Sequence, residues 1–226
     1  MHVNEIIKPV EEGVNDPHIF KAVFLAGGPG SGKSFVANKM LSGTGLRTVN
    51  SDDIYEYMMG KAGKELTPDN IYSDEGQEIR NRAKQITKNK EASHIEGRLG
   101  LIIDGTGKDV AKVQKASEQL KSLGYETMML FVNTSEDVAQ DRNSARARSL
   151  PKEQVTKMWQ IVQQNLMKFQ QLFGAGNFHI VDNSGGLEDP DRKANFVEVD
   201  RAIDKFLMSP PSDRRAKAWI QDQKSK

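Results

Sequence analysis

Cysteine is absent from the sequence. Its absence excludes disulfide bonds, thiolate nucleophiles and zinc sites built on cysteine. Histidine is scarce, and no two of the four residues have the spacing of metal ligands: His2, His18, His94 and His179. Chemistry that depends on a thiol or on a cysteine–histidine metal centre is therefore not expected.

Long apolar runs and a large net charge are also missing. The longest apolar runs, such as residues 22–26 and 128–132, have the length of strands and are too short to cross a bilayer. The net charge of +1 creates no global field that would attract nucleic acid or a membrane. The opening residues, MHVNEIIKPVEEG, show no basic flank followed by an apolar stretch. We therefore expect a cytoplasmic protein with no membrane partner.

Strand-like and helix-like segments alternate along the 226 residues. Apolar runs predict five strands, at residues 20–26, 47–50, 99–104, 127–133 and 178–182. Helical patterns lie between them, including an apolar stripe from Val155 to Phe173 that we interpret as core. This alternation predicts an α/β fold with three layers (α/β/α), in which a five-stranded parallel sheet carries helices on both faces.

Two terminal regions look peripheral to the main domain. We predict an N-terminal extension at residues 1–18, one domain at residues 19–208 and a basic C-terminal tail at residues 209–226. The tail is interpreted as a solvated end, with contact to nucleic acid as the less favoured alternative.

A glycine-rich segment, GGPGSGKS at residues 27–34, matches the phosphate-loop pattern G-x-x-x-x-G-K-[ST] between a predicted strand and a predicted helix. Glycines let backbone N–H groups converge on phosphates, and the helix directs the positive end of its dipole at them. Lys33 can reach the β- and γ-phosphates, while the Ser34 hydroxyl can complete a Mg²⁺ shell. The segment predicts a site for ATP and Mg²⁺ made of Gly28, Pro29, Gly30, Ser31, Gly32, Lys33 and Ser34.

Acidic residues end two of the predicted strands. In an open α/β sheet the carboxyl ends of the strands face the ligand crevice. Asp52 can therefore act as a general base on an attacking hydroxyl, with Asp53 as a substrate contact; the alternative for either residue is a helix N-cap before residues 54–59. Asp104 is a candidate Mg²⁺ ligand, directly or through water.

Three arginines, Arg142, Arg146 and Arg148, lie within seven residues. On a helix Arg142 and Arg146 share a face. A helical lid that carries them would close on the phosphates, exclude water and favour transfer to an acceptor over hydrolysis. The alternative is a solvated basic helix. No guanine-binding pattern N/T-K-x-D is present, so a GTPase is not expected.

These motifs together resemble the zeta toxin and phage polynucleotide kinase group of P-loop kinases. The resemblance covers roughly residues 20–183 and rests on GGPGSGKS, VNSDD, LIIDGTGK, GYETMMLFVN and DRNSARARSLP in that order. It implies a P-loop NTPase fold and transfer of the γ-phosphate of ATP to a hydroxyl of a nucleotide, a nucleotide sugar or a nucleic acid 5′ end. By analogy alone it also implies an antitoxin-like protein partner.

The resemblance also implies roles for single residues. Asp52 takes the position of the general base, Arg142 and Arg146 those of ATP-phosphate ligands, and Asn183 follows the last strand, near the adenine of related kinases.

Some positions depart from the families. Asp104 stands where zeta toxins have glutamate, and Lys108 where they have a phosphate-binding arginine, which makes Lys108 a candidate substrate contact without the bidentate fork. Tyr55 stands where the polynucleotide kinases carry an arginine that contacts the nucleic acid acceptor.

The segment at residues 60–98 should hold much of the acceptor pocket. Tyr72, Gln77 and Arg80 are the candidate acceptor contacts there. The basic run that begins at Arg80 is interpreted as a solvated helix face rather than a nucleic acid groove. Two alternatives to a kinase stay open, an ATP-gated binding module and a simple ATPase without a small acceptor.

Overall fold

The computed structural model describes residues 13–145, 149–186 and 188–226. Within these ranges the strands are β1 Lys21–Ala26, β2 Arg47–Val49, β3 Leu101–Asp104, β4 Glu126–Asn133 and β5 Phe178–Asp182. The helices are α1 Lys33–Met40, α2 Ser51–Lys61, α3 Pro68–Tyr72, α4 Asp74–Glu96, α5 Val110–Ser122, α6 Glu136–Ser144, α7 Lys152–Phe173, α8 Pro190–Met208 and α9 Arg214–Lys224. Of the helices in these ranges, none combines the length and apolarity needed to span a bilayer.

The five strands form one sheet in the order β2-β3-β1-β4-β5, and every neighbouring pair is parallel. In the register, Leu25 of β1 pairs with Asp104 of β3. Ala26, the last residue of β1, pairs with Phe131 of β4. The carboxyl ends of all five strands therefore meet at one edge of the sheet, with the end of β1 in the middle. This arrangement confirms the predicted three-layer α/β fold.

Alternation along the strands divides the core between the two faces of the sheet, because successive side chains of a strand point to opposite sides. Phe24 of β1 and Phe131 of β4 belong to a cluster that also contains residues of α5, α7 and α9. Leu25 belongs to the opposite cluster, which contains residues of α1 and α8. Burial on both faces explains why β1 and β4 are almost continuously apolar.

A third, smaller cluster joins α2 to α4 through Tyr55, Met59 and Ala83, all of them buried. It is separate from the two sheet clusters. The helix that carries Asp52 is therefore anchored mainly by α4, beyond the edge strand β2.

The C-terminal segment packs on the core in the form of α9. Ala216 is fully buried, and the Trp219 ring meets the Phe20 ring edge-on with 5.4 Å between centroids. Arg215 donates a hydrogen bond of 2.7 Å to the Ser122 carbonyl oxygen. The domain boundaries drawn from the sequence stay predictions.

Lys21, only 1% exposed, forms an ion pair with Glu126 and donates a 2.8 Å hydrogen bond to Ser209. The Glu126 carboxylate also accepts hydrogen bonds of 2.8 and 2.6 Å from the backbone and the hydroxyl of Ser212. Burial by itself would raise the pKa of Glu126, but the hydrogen bonds from Lys21 and Ser212 lower it below its ordinary value. This ion pair ties the start of the sheet to the chain between α8 and α9.

Replacing Glu126 should change how stability depends on pH. Because the pKa of Glu126 is lower in the folded than in the unfolded state, its stabilising contribution is complete above the ordinary value of 4.5 and disappears as the pH falls through the folded value. We expect wild type to melt a few degrees above Glu126→Gln at pH 7, with the gap closing in acid. Thermal denaturation at a series of pH values measures it, with the exposed Glu198→Gln as the control. An equal gap at every pH would contradict the prediction.

Candidate active site

The phosphate loop connects β1 to α1 through two glycines in the left-handed region, Gly30 (φ 74°) and Gly32 (φ 83°). A Cβ atom on Gly30 would lie 2.2 Å from the Ala139 carbonyl oxygen of α6. One on Gly32 would lie 2.3 Å from the Asn183 Nδ2 atom. Both the backbone conformation and the close neighbours therefore require glycine at these positions. The loop is held between α6 and the segment that follows β5.

Backbone groups and Lys33 give the loop its capacity for phosphate. Gly32 is the N-cap of α1, so the positive end of this helix opens on the loop. The Lys33 ammonium donates a hydrogen bond of 3.1 Å to the Gly27 carbonyl oxygen, across the mouth of the loop. Ser34, in the first turn of α1, is exposed. The loop thus combines a cation, backbone N–H groups and an accessible hydroxyl.

Asn50 joins the ends of β2 and β3. Its Nδ2 atom donates to the Asp53 Oδ1 atom at 3.1 Å and to the Asp104 Oδ2 atom at 3.3 Å. Its Oδ1 atom accepts from the Asp52 backbone N–H at 2.9 Å, which makes Asn50 the N-cap of α2. The two acids considered as possible caps lie in the first turn instead, where carboxylates also favour the helix dipole. The carboxylates of Asp53 and Asp104 are therefore brought together by Asn50, a residue to which the sequence analysis gave no role although it lies in the VNSDD motif.

The Asp104 carboxyl group lies in an unfavourable environment for a negative charge. Burial raises its pKa; Lys33 lowers it, while Asp52 and Asp53 raise it. Its Oδ1 atom is buried and has no hydrogen-bond partner in the described part of the chain. A bound cation would relieve both features. Since no group of three acidic or histidine ligands converges within the described ranges, a Mg²⁺ ion here would take much of its shell from phosphate and water.

Asp52 is exposed at the start of α2, with 62% of its side chain accessible. The Arg80 guanidinium of α4 lies over the buried ring of Tyr55, 4.3 Å from its centroid. From there the Arg80 Nη1 atom lies 4.0 Å from the Asp52 Oδ1 atom. Tyr55 stands where the polynucleotide kinases carry an arginine. In this protein the positive charge next to Asp52, the predicted base, is supplied by Arg80 of α4.

Of the other predicted acceptor contacts, Gln77 lies three residues before Arg80 on α4, whereas Tyr72 and Lys108 lie on other segments. Gln77 donates a hydrogen bond of 2.6 Å to the Ile71 carbonyl oxygen and fastens α4 to α3. Tyr72 is 73% exposed at the end of α3. Lys108 is also exposed, and the buried Asn165 of α7 donates a 3.1 Å hydrogen bond to its carbonyl oxygen. The roles of Tyr72, Gln77 and Lys108 stay predictions.

Two predicted nucleotide ligands contact the outside of the phosphate loop. The Arg142 Nη1 atom of α6 lies 3.5 Å from the Ser31 carbonyl oxygen. Burial and, after it, the charge of Arg192 lower the pKa of Arg142. Asn183 is buried, and its Nδ2 atom donates to the same Ser31 oxygen at 2.7 Å. Arg146 and Arg148 lie outside the described residues.

Arg192 has no counterpart among the residues singled out from the sequence. It lies in the first turn of α8 and donates a 2.7 Å hydrogen bond to the Asn183 Oδ1 atom. Nothing in the local sequence Asp-Pro-Asp-Arg-Lys separates it from an ordinary solvated helix start, so no sequence signal could have found it.

Solved structures share this fold. A candidate kinase from Chloroflexus aurantiacus J-10-fl is 15% identical with a TM-score of 0.56, over 86% of this chain and 100% of that one. A structure from the PezAT chromosomal toxin–antitoxin system of Streptococcus pneumoniae is 16% identical with a TM-score of 0.54, over 82% and 87%. A chain of an RNA repair complex is 20% identical with a TM-score of 0.50, over 69% and 48%. At these identities the likeness establishes the fold, which is that of the P-loop NTPases.

No curated protein matches the chain in a sequence search. The AAA domain family matches residues 23–166, well over half of the chain. The matched range begins in β1, ends in α7 and includes the phosphate loop, Asp52, Asp104 and Arg142. The chain therefore belongs to the AAA domain family.

Proposed function

We propose that the protein is an ATP- and Mg²⁺-dependent kinase that transfers the γ-phosphate to a hydroxyl group. The observation that carries the proposal is the exposed carboxylate of Asp52, which lies close enough to Asp104 to raise the pKa of that group. Hydrolysis needs only a phosphate site and water. A carboxylate in this position, flanked by an arginine from another helix, suits the capture of a proton from an acceptor hydroxyl.

Different residues around the phosphate loop bind the phosphates and the metal ion of the nucleotide. The backbone N–H groups of residues 28–34, apart from Pro29, which has none, and the Lys33 ammonium bind the phosphates. Ser34 and Asp104 would hold the metal. The orphaned Asp104 Oδ1 atom and the surrounding excess of carboxylates fit a cation at this point. When bound, Mg²⁺ supplies charge neutralisation for the phosphate oxygens.

The remaining groups orient the acceptor and exclude water. Asp52 accepts the proton of the attacking hydroxyl, while Arg80, 4.0 Å from its carboxylate, contacts the acceptor. Arg142 lies at the outer wall of the loop and stabilises the charge that develops during transfer. Arg142 and Arg146 belong to the proposed helical lid. Asn183 is proposed to contribute to nucleotide binding. Asp53, Tyr72, Gln77 and Lys108 complete the proposed acceptor side.

The proposed acceptor is a nucleotide, a nucleotide sugar or a nucleic acid 5′ end. The resemblance of the motifs to zeta toxins motivates the nucleotide sugar and an antitoxin-like partner, and their resemblance to polynucleotide kinases motivates the 5′ end. Structures from a toxin–antitoxin system and from an RNA repair complex share the fold. A binding module gated by ATP and a simple ATPase are the alternatives, and turnover with and without an acceptor separates all three.

Transfer of the γ-phosphate to one acceptor class is the first expected result. The assay follows ³²P from γ-labelled ATP to 5′-hydroxyl oligonucleotides of DNA and RNA, nucleoside monophosphates and UDP-sugars. Asp52→Asn should lower the rate about 100- to 10,000-fold with ATP binding intact, since only the proton acceptor is lost. Lys33→Ala should lower both ATP binding and transfer.

The exposed residues Asp204 and Lys205 of α8 give matched controls, because Asp204→Asn and Lys205→Ala make the same chemical changes away from the loop. Phosphate release at the same rate with and without every acceptor would favour the ATPase. Tight ATP binding with neither transfer nor release would favour the binding module.

Asp104→Asn should stabilise the nucleotide-free protein while lowering its activity. The pKa of Asp104 is higher in the folded than in the unfolded state, so ionising it costs stability as the pH rises above the ordinary value of 3.8, and the cost persists at neutral pH. Asparagine removes the charge and can still accept the hydrogen bond from Asn50. We expect a melting temperature a few degrees above wild type at pH 7, no difference below pH 3.8, and transfer lowered about 100-fold or more. Calorimetry and the transfer assay measure these effects, and a lower melting temperature at pH 7 would contradict the first.

A further inference from the structure

Arg192 lies buried behind the phosphate loop, with 7% of its surface exposed. Its guanidinium stacks near two aromatic rings, 5.3 Å from the centroid of Phe35 and 5.1 Å from that of Phe196. Its Nη2 atom donates a hydrogen bond of 2.7 Å to the Asn183 Oδ1 atom. The arginine is thus fixed in orientation between α1 and the end of β5.

The hydrogen bond continues through Asn183 into the loop. With its Oδ1 atom occupied by Arg192, the amide group of Asn183 has one orientation, in which Nδ2 donates to the Ser31 carbonyl oxygen at 2.7 Å. The Gly32 backbone leaves no room for a side chain at this contact, since a Cβ atom would lie 2.3 Å from Nδ2. Arg192, Asn183 and Ser31 therefore form a continuous chain of close contacts from α8 to the phosphate loop.

The contacts from Arg192 through Asn183 to Ser31 fix the direction of one backbone donor, the Gly32 N–H group. In a planar trans peptide the C=O and N–H groups point to opposite sides, so a Ser31 carbonyl held toward the end of β5 turns the Gly32 N–H away from β5. By the strand order, the opposite direction leads toward the end of β3, where Asp104 lies beside Lys33. Within the described residues the Gly32 N–H donates to no backbone oxygen. The donor is therefore presented to the part of the site assigned to phosphate.

The charge of Arg192 is not balanced locally. No carboxylate of the described ranges forms an ion pair with it, and its buried Nε atom has no hydrogen-bond partner there. A buried cation without a counter-charge costs stability, and the two rings and the Asn183 amide, not a carboxylate, offset that cost here. Its charge acts on Arg142, whose pKa burial and then Arg192 lower. An anion bound at the loop would provide the missing counter-charge.

We propose that Arg192 is a positioning residue of the phosphate loop: through Asn183 it holds the Ser31 carbonyl outward and presents the Gly32 N–H to a nucleotide phosphate. The proposal deepens the function proposed above and rests on it for the identity of the ligand. It also gives Asn183 a role in shaping the loop, in place of the adenine contact that the family resemblance implies.

Two variants of the full-length protein test the contacts between Arg192, Asn183 and Ser31. Both variants keep a positive charge at position 192. Arg192→Lys retains the cation but loses the planar guanidinium that orients Asn183. Asn183→Ala leaves Arg192 intact and removes the link. We expect both variants to bind Mg²⁺–ADP about tenfold more weakly by calorimetry, which is the order of one lost charge-assisted hydrogen bond. In the nucleotide-free protein, both should also shift the NMR resonance of the Gly32 amide.

The same elements supply matched controls. Arg201→Lys makes the same change at an exposed position of α8. Asn195→Ala removes another asparagine that bridges α8 and β5, which donates to the Ile180 carbonyl and accepts from the Asp182 N–H. Neither should change the ADP affinity or the Gly32 resonance. Measuring well below the melting temperature of each variant separates loss of positioning from loss of folding.

These measurements test the positioning role of Arg192 separately from the proposed kinase function. A wild-type Gly32 resonance in Arg192→Lys, or a wild-type ADP affinity, overturns the positioning role. An equal loss of affinity in Asn195→Ala overturns it as well, because general weakening of the β5–α8 contact would then be the cause. If the wild-type protein does not bind ADP at all, the proposed nucleotide site is wrong, whereas the Gly32 resonance still decides whether Arg192 acts on the loop.

Discussion

Hydrogen bonding of β1 to β3 on one side and to β4 on the other places the phosphate loop at the centre of the sheet edge. The acid-bearing ends of β2 and β3 then lie to one side of the loop, and α6 and Asn183 lie to the other. In a parallel sheet all carboxyl ends meet at the same edge, so residues far apart in sequence become neighbours without any special long loop. The candidate site depends on this one constraint of strand direction and order.

Buried charges are treated differently near the site and away from it. Lys21 is almost inaccessible, but Glu126 and Ser209 satisfy its ammonium group. Around the loop, Asp104 and Arg192 each keep a buried polar atom without a hydrogen-bond partner in the described part of the chain. Unbalanced groups of this kind reduce the stability of a ligand-free protein and are concentrated at functional sites. This difference between Lys21 and the charged groups near the phosphate loop supports the assignment of the functional site to the edge of the sheet that carries the loop.

Much of the fold follows from patterns that act over a few residues. The five strands lie within two residues of their predicted bounds, and β5 matches residues 178–182 at both ends. The apolar stripe of α7 supplies Val155, Val162, Phe169 and Phe173 to the buried core, as its helical spacing predicts. The phosphate loop follows from its motif, because glycine conformations and a helix N-terminus are properties of the local chain. The C-terminal segment shows the limit: its charge predicts a solvated end, whereas Trp219 packs against Phe20.

The sequence by itself determined the order of strands and helices along the chain, the phosphate loop and the acids that follow two strands. Each of these is encoded by residues close together, where spacing and conformational preference are sufficient. The tertiary structure alone decided that Arg80 lies beside Asp52, that Asn50 joins Asp53 to Asp104, and that Asn183 holds a loop residue 152 positions away. Such contacts depend on how whole elements pack, and no local pattern records which distant side chain will fill a given space.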